Sequence, residues 1–235
     1  MSFAIDATPL LEKPSGIPVY TAYLVYNMLE ADKTQRCYAL AFSDDKKKPK
    51  LITHDRLEYV YLPYKRKVYR AQAKLLGKFD DVSKHIPQEV DLALYTDFFT
   101  WPWLEKARKK AVVIHDLAYL DYPKSVSKKN MKALKKLVPQ SIKRSNFVIT
   151  VSENTEKRIK EEYGTDRPTI VASPAYNTSV FNEEIKSGDP ATLVKYSLPQ
   201  EYILHLGTLE PRKNIVGIID AYEQLDPELR SKHPL

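Results

Sequence analysis

The stretch "FVITVSENTEKRIKEEYGTDRPTIVAS", residues 147–173, reads as one complete structural unit. "FVITVS" (147–152) is a run of apolar and β-branched residues and predicts a strand. "ENTEKRIKEEYG" (153–164) predicts a helix closed by Gly164. "TIVAS" (169–173) predicts the next strand. A strand, a helix and a strand in that order make a parallel pair with a crossover.

The same alternation extends in both directions. Strands are expected at 3–6, 37–42, 57–62, 91–96 and 111–115. Helices are expected at 18–31, from about 66 to 86, and at 126–144. An aromatic loop and a short helix should separate the strands at 91–96 and 111–115. In 18–31, Tyr20, Leu24 and Met28 recur at helical spacing, with Val25 and Leu29 beside them. Pro18 suits the first turn and Ser15-Gly16 the approach. Repeated units of this kind predict an α/β fold: a Rossmann-like, doubly wound, mostly parallel sheet covered on both faces.

The rhythm breaks over 175–200, which holds clusters of Asn, Ser, Gly, Asp and Pro. Residues 1–180 are therefore expected to form one domain and 181–200 a connection. A second, incomplete Rossmann-like unit should start at 201–235, with a strand at 202–207 and a helix at 214–225 capped by Asn214.

Apolar residues make up 43% of the 235, enough to bury a core, and no run reaches the length of a membrane span. The opening "MSFAIDATPLL" has neither a basic start nor a long apolar run, so no signal peptide is expected. Cys37 is alone, which rules out an internal disulfide and makes a cytoplasmic location the default. The net charge of +7 suits anionic partners. Nucleic acid would rest on charge alone and is not expected. Metal-ligand spacing, a G-x-S-x-G elbow and a P-loop are all missing.

In parallel sheets ligands sit at the carboxyl ends of the strands, which selects four loops. "EKPSGIPVY" (12–20) brings Gly16 to a helix start, where backbone N–H groups favour anions; the plain alternative is a tight turn. "VVIHDLAYLDYP" (112–123) puts His115 where a buried strand ends, able to donate a hydrogen bond to a substrate hydroxyl or to move a proton. Asp116 points the other way along the pleat and should anchor the loop. "TDFFTWPW" (96–103) clusters Phe98, Phe99, Trp101 and Trp103. These rings suit a sugar or an apolar acceptor, or else pack the next element onto the sheet. "LHLGTLEPRKN" (204–214) ends an apolar run at Gly207 and sets Arg212 and Lys213 before a helix, ready to hold phosphate. The basic helix 126–144 carries Met131, Leu134, Val138 and Ile142 on one face. It reads as a crossover helix with a charged outer side, or as a contact with the inner face of an anionic membrane.

"AIDATPL…SGIPVYTAYL", "VVIHDLAYLDYP", "SNFVITVSENTEKRI" and "YILHLGTLEPRKNI" together resemble, in order and spacing, the retaining glycosyltransferases of the GT-B fold in family 4, the group 1 glycosyltransferases. The resemblance implies two Rossmann-like domains facing across a cleft, the first for the acceptor and the second for a nucleotide sugar. It implies no cofactor and no metal, because protein cations hold the diphosphate. Arg212, Lys213 and Gly16 would then serve the donor phosphates, and His115 the catalytic step. Gly207, Asp116, Phe98 and Trp101 become candidates for donor or acceptor contacts. The donor would be UDP- or GDP-linked, and the acceptor a hydroxyl of a saccharide or of a lipid-linked sugar. Where the family often has Gly-Ile-Gly-Arg-Tyr, this chain has Gly16-Ile17-Pro18-Val19-Tyr20. The family's downstream E-x7-E segment is not present, so the chain is expected to be a fragment with little activity alone. The alternative is a non-catalytic acceptor-binding or regulatory module completed by a partner chain.

Overall fold

The structure is a computed structural model that describes residues 1–76, 81–176, 181, 190–207 and 209–235. The chain divides into two compact units, residues 1–121 with 128–175, and residues 122–127 with 176–235.

The first unit is built on a seven-stranded sheet in which every pairing is parallel. The strands are β1 (Ser2–Asp6), β2 (Arg36–Phe42), β3 (Leu57–Leu62), β4 (Leu92–Tyr95), β5 (Lys109–Ile114), β6 (Phe147–Thr150) and β7 (Thr169–Val171). Their spatial order is β3-β2-β1-β4-β5-β6-β7, a Rossmann-like winding that reverses between β1 and β4. The α/β expectation holds, and the sheet is wholly rather than mostly parallel.

The pleat explains the buried runs. Phe3, Ile5, Cys37, Ala39, Leu92, Leu94, Ala111 and Val113 point to one face, where Ala22, Val25 and Leu29 of α1 (Gly16–Ala31) cover them. The alternate residues Tyr38, Leu40, Phe42 and Leu62 are also buried, and Phe42 meets Tyr69 of α2 (Arg66–Leu76) at a ring distance of 5.5 Å. With both faces covered, a strand has no polar side to show, so β1, β2 and β4 read as continuous apolar runs.

The opening stretch folds as its residues dictate. Ser152 caps α5 (Glu153–Tyr163) by accepting from the Thr155 N–H at 3.1 Å. Gly164 ends the helix at φ 51°, in the left-handed region. An added Cβ there would meet nothing within 4 Å, so Gly164→Ala isolates the backbone strain. Urea denaturation should show a loss of about 1 kcal/mol; an unchanged midpoint would refute that origin.

Three expectations need correction. The helix placed at 66–86 is described over Arg66–Leu76, residues 77–80 lie outside the described residues, and 81–86 are not α-helical. At Asp81 the carboxylate accepts from the Ser83 N–H at 2.9 Å and makes a turn that a helix cannot continue. No short helix follows β4. There the N–H groups of Trp103, Leu104, Glu105 and Lys106 go to the side chains of Tyr69, Tyr95, Asp81 and Ser83, which leaves no helical ladder. Residues 202–207 form no strand: among the described residues of the second unit none runs beside them as a ladder partner, and the Ile203 N–H bonds to the Pro234 carbonyl.

The remaining helices of the first unit are α3 (Ala118–Asp121) and α4 (Lys128–Arg144). The second unit holds α6 (Pro190–Lys195), α7 (Ile215–Glu223) and α8 (Pro227–Lys232). Residues 182–189 of the expected connection lie outside the described residues. Asn214 precedes α7 but makes no side-chain cap. Its backbone sits at φ 49°, and its amide lies over Gly217, within 3 Å of where a Cβ would stand.

Candidate functional site

The reversal between β1 and β4 opens the sheet at its carboxyl edge. His115 follows β5 at that edge. Its Nε2 lies 2.8 Å from the Thr96 carbonyl oxygen just after β4. A carbonyl can only accept, so Nε2 carries the hydrogen and Nδ1 keeps a lone pair. The ring meets Tyr20 of α1 edge-on at 5.2 Å and Phe98 at 5.5 Å. Burial lowers the His115 pKa below its ordinary 6.5, against the opposing pull of the Thr96 carbonyl and Asp116. The imidazole is thus neutral at pH 7, and the nitrogen left for a ligand accepts rather than donates.

Phe98 is held in a strained backbone state at φ 53°, with its N–H donated to the Val113 carbonyl at 3.1 Å. That bond fixes the β4 loop across β5 and keeps the ring beside His115. Phe99 and Trp101 stack at 4.5 Å, and Trp101 is only 7% exposed, a packing role. The Asp116 carboxylate accepts from the Ala118 N–H at 3.0 Å, which holds the turn into α3.

Gly16 begins α1 after Ser15, whose side chain closes no cap. The N–H groups of Gly16 and Ile17 belong to the first turn, which a helix cannot satisfy itself. A Cβ at Gly16 would meet nothing within 4 Å, so there is room for a ligand. Tyr20, one turn on, ties this helix to His115. The structure therefore brings Gly16, Phe98 and His115 to one edge of the first unit.

Gly207, Arg212 and Lys213 belong to the second unit. Pro211–Lys213 is a 3-10 turn leading into α7; Lys213 is exposed, and the side chain of Arg212 lies outside the described residues. Around this turn Leu206 is 90% and Leu209 84% exposed, far from the burial of the first unit's strands.

Sequence reasoning missed a second group at the same carboxyl edge. Asp6, the last residue of β1, is 4% exposed, and its carboxyl accepts from the Thr8 N–H at 2.9 Å. Burial pushes its pKa up to about 6. Asp97, just after β4, is raised in the same direction by burial. Arg70 of α2 couples electrostatically to both and lies 4.3 Å over the Trp101 ring. The available signal was an acidic residue closing an otherwise apolar run, as in "FAID". Arg70 gave none, because a basic residue on a basic helix reads as solvated.

On α4, Val138 and Ile142 are buried while Met131 and Leu134 are half-buried, so much of the apolar stripe packs inward. Lys128, Lys132, Lys135 and Lys136 line an open groove with Met131. No helix among the described residues is long and apolar enough to cross a membrane.

No family model matches the chain. It is similar to the O-antigen chain mannosyltransferase B of Escherichia coli, 28% identical over 167 residues, which is 71% of this chain and 41% of that protein. It is also similar to the serotype-specific mannosyltransferase WbdA of Escherichia coli, 27% identical over 137 residues, covering 57% of this chain and 16% of that protein. The chain thus spans well under half the length of these curated relatives. The likeness is to glycosyltransferases, and the names of both relatives give them as mannosyltransferases.

Proposed function

We propose that this chain carries the acceptor-side domain and the opening of the donor domain of a retaining GT-B glycosyltransferase of family 4. In this reading the whole enzyme moves a hexose, with mannose favoured by the relatives' names, from a UDP- or GDP-linked donor to a hydroxyl of a saccharide or lipid-linked acceptor. The context is polysaccharide assembly of the O-antigen kind. The observation that carries the reading is His115: a half-buried, neutral imidazole at the strand edge with one nitrogen committed and one left as an acceptor.

The acceptor oxygen bonds to the sugar's anomeric carbon while the bond to the leaving diphosphate breaks. The diphosphate takes the electron pair, and a phosphate oxygen takes the acceptor proton. The protein's part is to orient the hydroxyl and to stabilise the leaving charge. Arg212 and Lys213, at the start of α7, supply cations and a helix terminus for that charge, and Gly16 offers backbone donors. This chemistry calls on no metal. The exposed Leu206 and Leu209 support a donor domain completed by further chain. The lysine groove of α4 suits contact with an anionic cytoplasmic membrane face.

Calorimetric titration with UDP and GDP, on this chain and on its longest reading frame, tests the proposal. One nucleotide should bind the longer protein, and Lys213→Ala should weaken it about tenfold. Failure of both nucleotides to bind the longer protein would sink the donor assignment.

A further inference from the structure

Asp6 and Asp97 lie at the ends of the two strands between which the winding reverses. Counting along the pleat puts both carboxyls on the α2 side of the sheet, with Ala4, Ala93 and Tyr95. Arg70 reaches them from α2, yet its guanidinium couples to each through charge alone and closes no hydrogen bond with either. Its Nε is buried without an acceptor. Thr8, 5% exposed, turns its hydroxyl toward Asp6 and also completes no hydrogen bond of normal geometry. Asp97 is half-buried, and its carboxyl takes no hydrogen bond from the described residues.

Desolvated polar groups left unpaired are costly, and several in one place point to a ligand that completes them. That ligand must donate to a carboxyl and accept from a guanidinium and a hydroxyl. Adjacent hydroxyls do both. An anionic ligand is disfavoured, because Asp6, Asp97 and the nearby Glu12 outnumber the one stacked guanidinium that is not already taken. Arg66 is held in a two-pronged ion pair by Asp45, at 2.7 and 2.8 Å.

We propose that Asp97 and Arg70, positioned by Asp6 and Thr8, bind the vicinal hydroxyls of a neutral hexose at the end of the acceptor. The phosphate of a lipid-linked acceptor is not seated here. The choice of a saccharide rests on the glycosyltransferase reading, whereas the demand for a neutral diol rests on the geometry.

The test is saturation-transfer NMR on the full chain, with α-mannobiose and mannose 1-phosphate as probes and a parallel titration with UDP and GDP. Mannobiose should bind in the millimolar range, more tightly than the phosphate. Asp97→Asn and Arg70→Gln should each weaken it at least tenfold while the amide NMR spectrum keeps its native dispersion. Methyl ethers of the probe's vicinal hydroxyls should lose binding to the wild-type chain, a result that needs no variant. Wild-type chain that ignores mannobiose, variants that bind it normally, or preference for the phosphate would each overturn the proposal. If mannobiose binds as expected but neither nucleotide does, the diol site stands and the donor reading falls.

Discussion

Replacing His115 with alanine is expected to slow glycosyl transfer by about 10²-fold, the range of a lost contact that orients the attacking hydroxyl. Nucleotide affinity should hardly change. The size follows from the tautomer. The Thr96 carbonyl, 2.8 Å away, takes the Nε2 hydrogen, so only Nδ1 can receive the acceptor hydroxyl's hydrogen bond. Burial lowers the pKa below 6.5 and keeps that lone pair available at neutral pH. The rate should therefore fall as pH drops below 6.5, and this acid limb should vanish in the variant. The ring also packs against Tyr20 and Phe98, so alanine alone cannot separate packing from chemistry. His115→Phe separates them: it keeps a ring in place and removes both nitrogens. Transfer by the phenylalanine variant within threefold of wild type would reduce His115 to a packing residue, as would an acid limb that persists without it.

The parallel sheet was legible because strands buried on both faces must be apolar throughout, and "CYALAF" or "DLALYT" leave no other reading. The stretch "YILHLG" looks the same, yet forms no strand, since an apolar run states a wish for neighbours without supplying them. The loop after β4 misled for a different reason. Its N–H groups bond to Tyr69, Tyr95, Asp81 and Ser83, partners that only the folded chain brings near. The candidate site's positions were legible where a reactive or glycine residue falls at a strand–helix junction, as at Gly16 and His115. It was hidden where function needs a local rule broken, as at Asp6, a carboxyl sealed in the core.

Asp6→Asn is expected to stabilise the chain at pH 8 by about 1–3 kcal/mol and to change it little at pH 4. The sign follows from proton binding. The folded chain holds the Asp6 proton up to about pH 6, whereas the unfolded carboxyl releases it near its ordinary 3.8. Between those values the folded state binds more protons, so rising pH removes stability. Above pH 6 the buried carboxylate bears the full desolvation cost, offset in part by Arg70. Asparagine keeps an oxygen for the Thr8 N–H, bonded now at 2.9 Å, and has nothing to ionise. Urea denaturation of both proteins at pH 4 and pH 8 reads the difference directly, with all other titrating groups in common. Parallel pH profiles would show that Asp6 is not the buried acid described. A gain confined to high pH would mean that the fold tolerates a destabilising charge beneath its strand edge, as expected where that charge positions a ligand-binding pair.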